Sequence, residues 1–147
     1  MNDAPPRLTT FGALIRFATD LEAEAAEHYA NWMAEADQGE RDRLSALAAA
    51  HRRRADQLKR MVQEQLNEMT LEPITGLQAD DYSGSPRLSA MTGASDQIAF
   101  AVELESRLAR LYDDMVDRAG RVLGSATRSL ERLARQSRLT IQELQKS

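Results

Sequence analysis

Cysteine is absent from the sequence, which excludes disulfides, thiolate-ligated zinc or iron–sulfur centres and cysteine nucleophiles. Aromatic residues make up only 5% of the chain, and β-branched and aromatic residues nowhere alternate with polar ones over a useful length, so strand signals are weak throughout. Prolines and glycines are few, and Pro73, Gly76, Gly84, Pro86 and Gly93 fall in one stretch, leaving the rest of the chain free to run as long helices. No segment approaches the roughly 20 apolar residues that a membrane-spanning helix requires. The opening MNDAPPRLTT lacks the basic-then-apolar order of a signal peptide. The expectation is a soluble, cytoplasmic protein with no membrane partner. Acidic residues exceed basic ones by 23 to 19, for a formal net charge of -4, so no global attraction to nucleic acid is expected either. At 147 residues the chain fits one domain, able to bury roughly two thirds of its unfolded surface.

What is present is helical periodicity. After Thr9 and Thr10, either of which can cap a helix start, Phe11, Leu14, Ile15, Ala18, Leu21, Ala25, Tyr29 and Trp32 recur at spacings of three and four. They predict a helix over about 10–36, ended by Asp37-Gln38-Gly39. Leu44, Leu47, Ala48, Ala55, Leu58, Met61, Val62 and Leu66 predict a second over about 40–69, antiparallel to the first because the connection is short. The pattern fails over about 70–94, a long crossover whose Tyr82 and Leu88 could close across the helices. Ser95-Asp96 then offers a cap for a third helix over about 95–119, with Gly120 and Gly124 at its end. The fourth runs over about 125–145. The predicted fold is all-α, an antiparallel four-helix bundle of two hairpins joined by the crossover.

The two halves resemble each other. Leu21-Glu22 precedes Tyr29 by the spacing at which Leu104-Glu105 precedes Tyr112, and Leu44, Leu47 and Ala48 match Leu130, Leu133 and Ala134. Polar residues interrupt the apolar stripes at matching places: Glu22 and Glu105 on the first helix of each pair, His51 and Arg54 on the second helix, Ser137 and Thr140 on the fourth. A buried charge without a partner costs several kcal/mol, so these residues should meet.

In this respect the chain resembles the ferritin-like superfamily, and most closely its short rubrerythrin-type bundles. The resemblance runs from about Phe11 to Leu144. In that family each half supplies a Glu from its first helix and Glu-x-x-His from its second, and the ligands converge on two iron or manganese ions. The resemblance maps the first-helix Glu onto Glu22 and Glu105. It maps Glu-x-x-His onto His51-Arg-Arg-Arg54 and Ser137-Arg-Leu-Thr140, so both of those motifs are missing.

The leading expectation is therefore a bundle that has lost the di-iron site, needs no cofactor and acts by binding or assembly. In it Arg54 takes the place of the metal beside Glu22 or Glu105, with His51, Ser137 or Thr140 completing the network. The alternative is a metal-dependent oxidoreductase or metal-binding protein holding iron or manganese on Glu22, Glu105, His51 and Glu24. A second alternative is a small-anion binder with Arg54 as the anchoring cation. A homodimer is expected, with Trp32 and Met33 as contact or core. His28 reads as a surface or interhelix contact. The basic run on the fourth helix and its approach, Arg118, Arg121, Arg128, Arg132, Arg135 and Arg138, reads as a solvated face bridging to Asp113, Asp114 and Asp117.

Overall fold

A computed structural model describes residues 10–64, 82, 94–123 and 125–146. Among these residues the chain is helical, with no strand: α1 Phe11–Met33, α2 Gln38–Glu64, α3 Ala94–Leu123 and α4 Ser125–Gln145. None of these helices is long and apolar enough to cross a membrane.

The start of α1 follows from Thr10, which is extended (φ -135, ψ 160) and whose Oγ1 accepts the Ala13 N–H at 3.1 Å. That satisfies one of the four amide donors a helix start leaves open. α1 ends at Met33, three residues short of the periodicity-based limit. The Glu35 and Ala36 amides bond three residues back, to Trp32 O and Met33 O, so the chain tightens into turns. The reason lies in Asp37, whose Oδ1 accepts the Glu40 N–H at 2.9 Å. Asp37 thus caps α2, and Gly39 lies in the first turn of that helix rather than terminating α1.

α2 is described to Glu64, and its expected continuation to residue 69 lies outside the described residues, as does the crossover apart from Tyr82. α3 begins at Ala94, which puts Ser95 and Asp96 inside its first turn instead of ahead of it. It also continues through Gly120 to Leu123, because one interior glycine costs a helix only about 1 kcal/mol. α4 matches its expected span.

α1 packs along α2, α3 along α4, and α1 against α3. One apolar cluster gathers Phe11, Leu14, Ile15, Leu21, Leu58, Leu104, Leu108, Leu111, Met115 and Leu130 with Tyr112, and a second gathers Trp32, Leu44, Ala48, Ala101 and Leu144 with Tyr29. Each fully buried aliphatic side chain of this kind contributes roughly 1.5–3 kcal/mol. Tyr82 is buried with the first cluster, edge-on to Phe17 at 6.3 Å, and its hydroxyl donates to Asp114 Oδ2 at 2.5 Å. That places the one described crossover residue against α1 and α3. Leu88 lies outside the described residues. Trp32 is 6% exposed and belongs to the core, which removes it as a free dimer contact. On the outer face Arg138 pairs with Asp113 at 2.8 Å, one of the bridges expected for the basic run of α4.

Candidate functional site

Tyr112, in one apolar cluster, and Tyr29, in the other, both point at charged groups. Glu22, His51 and Glu105 are 0% exposed, and Arg54 and Ser137 are buried beside them. Periodicity places them there: Glu22 follows Leu21 on α1, Glu105 follows Leu104 on α3, and His51 and Arg54 share one face of α2 by their i, i+3 spacing. The neighbours Arg52 and Arg53 are exposed, so only the third arginine of that run faces inward.

His51 stands between the two carboxylates. Its Nδ1 lies 2.5 Å from Glu22 Oε1 and its Nε2 lies 2.6 Å from Glu105 Oε2. A neutral imidazole has one N–H, whereas the imidazolium has two. Two carboxylate contacts therefore require either an imidazolium or a protonated carboxyl. The surroundings favour the imidazolium. Burial alone would pull the ring's pKa down, but the hydrogen bonds and charges of Glu105 and Glu22 outweigh it and push His51 up to about 9. Burial likewise opposes ionisation of Glu105, yet His51, Tyr29 and Arg54 hold its pKa below the ordinary carboxylate value.

The tyrosines complete the shell in a crossed pattern. Tyr29 of α1 donates to Glu105 Oε2 of α3 at 2.7 Å, and Tyr112 of α3 donates to Glu22 Oε2 of α1. Each tyrosine lies seven residues beyond the glutamate of its own helix and serves the glutamate of the other, so the internal repeat has become a reciprocal contact. Burial, then the adjoining carboxylates, raises both phenol pKa values, keeping the hydroxyls as donors. Tyr29 also stacks on the His51 ring, with centroids 5.5 Å apart and planes 19° apart, which suits a cation over a π face.

Arg54 is present but not in the expected role. Its Nη1 is 3.9 Å from Glu22 Oε1 and 3.9 Å from Glu105 Oε1, within ion-pair reach and beyond hydrogen-bond length. Among the described residues its hydrogen bond goes to Ser137 Oγ at 3.3 Å. His51, rather than Arg54, is the cation that bridges the carboxylates, because the imidazole is short and flat enough to fit between them. Among the described residues Glu105 Oε1 is left buried without a hydrogen bond, with the Arg54 charge 3.9 Å away. Thr140 does not join the network, since its hydroxyl bonds the Gln136 carbonyl of its own helix at 3.0 Å. Glu24 is exposed. Its pKa is raised by partial burial, against the pull of Arg107.

With both carboxylates ionised and His51 protonated, Glu22, Glu105, His51 and Arg54 sum to zero charge. Both imidazole nitrogens are engaged, a fixed guanidinium stands beside the carboxylates, and among the described residues no group of three His, Asp or Glu is arranged to hold an ion.

Of the two readings of His28, the interhelix one holds, and it is a second buried histidine. His28 is 3% exposed, packed against Phe100 at 4.4 Å and close to Tyr29 and Trp32, an interhelix contact and not a surface one. Among the described residues neither ring nitrogen closes a hydrogen bond. Burial pulls its pKa down to about 4, opposed only in part by the nearby Gln97 backbone. The signal was available in the i, i+4 spacing from His28 to Trp32 along the stripe. Comparison with models of protein families, with curated proteins and with solved structures finds no match.

Proposed function

We propose that the chain is a ferritin-like, antiparallel four-helix bundle in which an internal ion network stands where related bundles carry two metal ions, and that it works by binding or assembly rather than by iron chemistry. The observation that carries this reading is the pair of short contacts made by His51, one to each glutamate. The residue best suited to ligate a metal spends both nitrogens on the carboxylates that would be its co-ligands. Loss of both Glu-x-x-His motifs and the charge of Arg54 act in the same direction, because a divalent cation at this place would meet a guanidinium within ion-pair distance of both its ligands.

The competing reading, a reduced iron or manganese site on Glu22, His51 and Glu105, requires the imidazole to release at least one glutamate and Arg54 to withdraw. Elemental analysis of protein purified from iron- and manganese-supplemented medium separates the two. The internal network predicts substoichiometric metal, unchanged in Glu22→Gln and Glu105→Gln. One metal ion per chain, lost in those variants, would overturn it.

A further inference from the structure

The guanidinium of Arg54 has a second side. Nη1 faces Ser137 and the two glutamates, while the side chain also lines a cavity of about 460 Å³ between α2 and α4. Arg54 is 7% exposed. Among the described residues its hydrogen bond is the one through Nη1, which leaves the other edge of the planar fork available to a further acceptor.

The rest of the cavity wall fits an anion. It is lined by Ala50, Arg53, Asp56, Gln57, Arg60 and Gln136. Arg53 and Arg60 are exposed at the rim, and neither has an ion-pair partner within 4.0 Å among the described residues. Asp56 is the single opposing charge. Since Arg54 is already balanced inside by the central network, the rim retains one net positive charge from Arg53, Arg60 and Asp56, with two amide side chains at hand as further donors.

We propose that this groove is an anion site that takes a phosphate group, held by the outer edge of Arg54 with Arg53 and Arg60 at its rim. A planar carboxylate matches one guanidinium fork, whereas a tetrahedral phosphate offers oxygens in several directions and can engage forks from different sides. The cavity is larger than one phosphate, which suits a small phosphorylated molecule whose remainder lies along Gln57 and Gln136. Because Arg54 faces the groove with one edge and Glu22 and Glu105 with the other, an anion there competes for the same positive charge, and occupancy is felt at His51. This inference rests on the reading of Arg54 as a resident cation of the core.

Calorimetric titration of the full chain with inorganic phosphate tests it, at ionic strength held constant with chloride, alongside acetate and the double variant Arg53→Gln/Arg60→Gln. Both substituted residues are exposed, and an unchanged helical circular dichroism spectrum would verify that the variant folds. Saturable phosphate binding is expected, at least roughly tenfold weaker in the double variant and not matched by acetate. It should be accompanied by a shift of the His51 ring resonances. No saturable binding, binding unaltered in the double variant, or equal binding of acetate would overturn the proposal. Metal analysis of the same sample reads the central network separately, so failure of one does not stand for failure of the other.

Discussion

At the level of single residues, the centre behaves as a set of mutually dependent charges, and substitutions should separate members from bystanders. Removing one partner from a buried ion pair leaves the other uncompensated and typically costs about 3–5 kcal/mol. Glu22→Ala, Glu105→Ala and His51→Ala are each expected to fall in that range in chemical denaturation. Tyr29→Phe and Tyr112→Phe each remove one hydrogen bond to a charged acceptor and should cost about 1.5–3 kcal/mol. Thr140→Ala removes a hydroxyl that bonds only its own helix and should cost less than about 1 kcal/mol. A Thr140 effect as large as that of Tyr112 would mean that the network is wrongly drawn. Most of the cluster was legible in the sequence, because the same polar interruption occurs at Glu22 and Glu105. The roles of its members were not, since spacing puts His51 and Arg54 on one face of α2 without saying which side chain has the reach and shape to fit between two glutamates.

At the level of the helix, the boundaries turn on caps that a few side chains supply. Periodicity located all four helices, because apolar residues at three and four spacing have to face a core. It overran α1 because Asp37-Gln38-Gly39 reads as a stop signal, when Asp37 in fact opens α2. It stopped α3 early because Gly120 looks like an ending, when the helix passes through it. Capping residues of this kind are worth about 1 kcal/mol. Thr10→Ala and Asp37→Ala should therefore each lower stability by roughly that amount, with amide exchange rising chiefly in the first turn of α1 and of α2 respectively. An Asp37→Ala variant that loosens the end of α1 but leaves the first turn of α2 protected would contradict the assignment. The reciprocal Tyr29 and Tyr112 contacts also belong to this scale, for they tie α1 to α3 through the groups that the internal repeat made equivalent.

For the whole molecule, the two histidines set opposite limits on pH. His51 has a folded pKa of about 9 against an unfolded value near 6.5. Its contribution is complete below about pH 6.5 and is lost as pH rises through about 9, a loss of about 3 kcal/mol by linkage. His28 has a folded pKa of about 4. Its neutral form is accommodated without cost above about pH 6.5, and stability falls as pH drops toward 4 because the unfolded chain binds the proton more tightly. Glu105, held below its ordinary value, steepens the same acid limb. Denaturation midpoints should therefore be highest near pH 6.5 and decline on both sides. His28→Leu should flatten the stretch between about pH 6.5 and 4 and leave the alkaline limb unchanged. This bipolar profile was not legible in the sequence, where His28 and His51 differ only in their neighbours, and burial among aromatic rings against burial between two anions is a property of the packed helices.

The network as a whole depends on His51 being an imidazolium locked between Glu22 and Glu105. Nitrogen-15 chemical shifts of the ring across a pH titration report its protonation state. The network predicts two protonated ring nitrogens at pH 7, with both N–H protons slow to exchange, and an apparent pKa near 9 that does not change when iron or manganese is added. A His51 ring that is neutral at pH 7, or whose signals shift or broaden with stoichiometric metal, would contradict it.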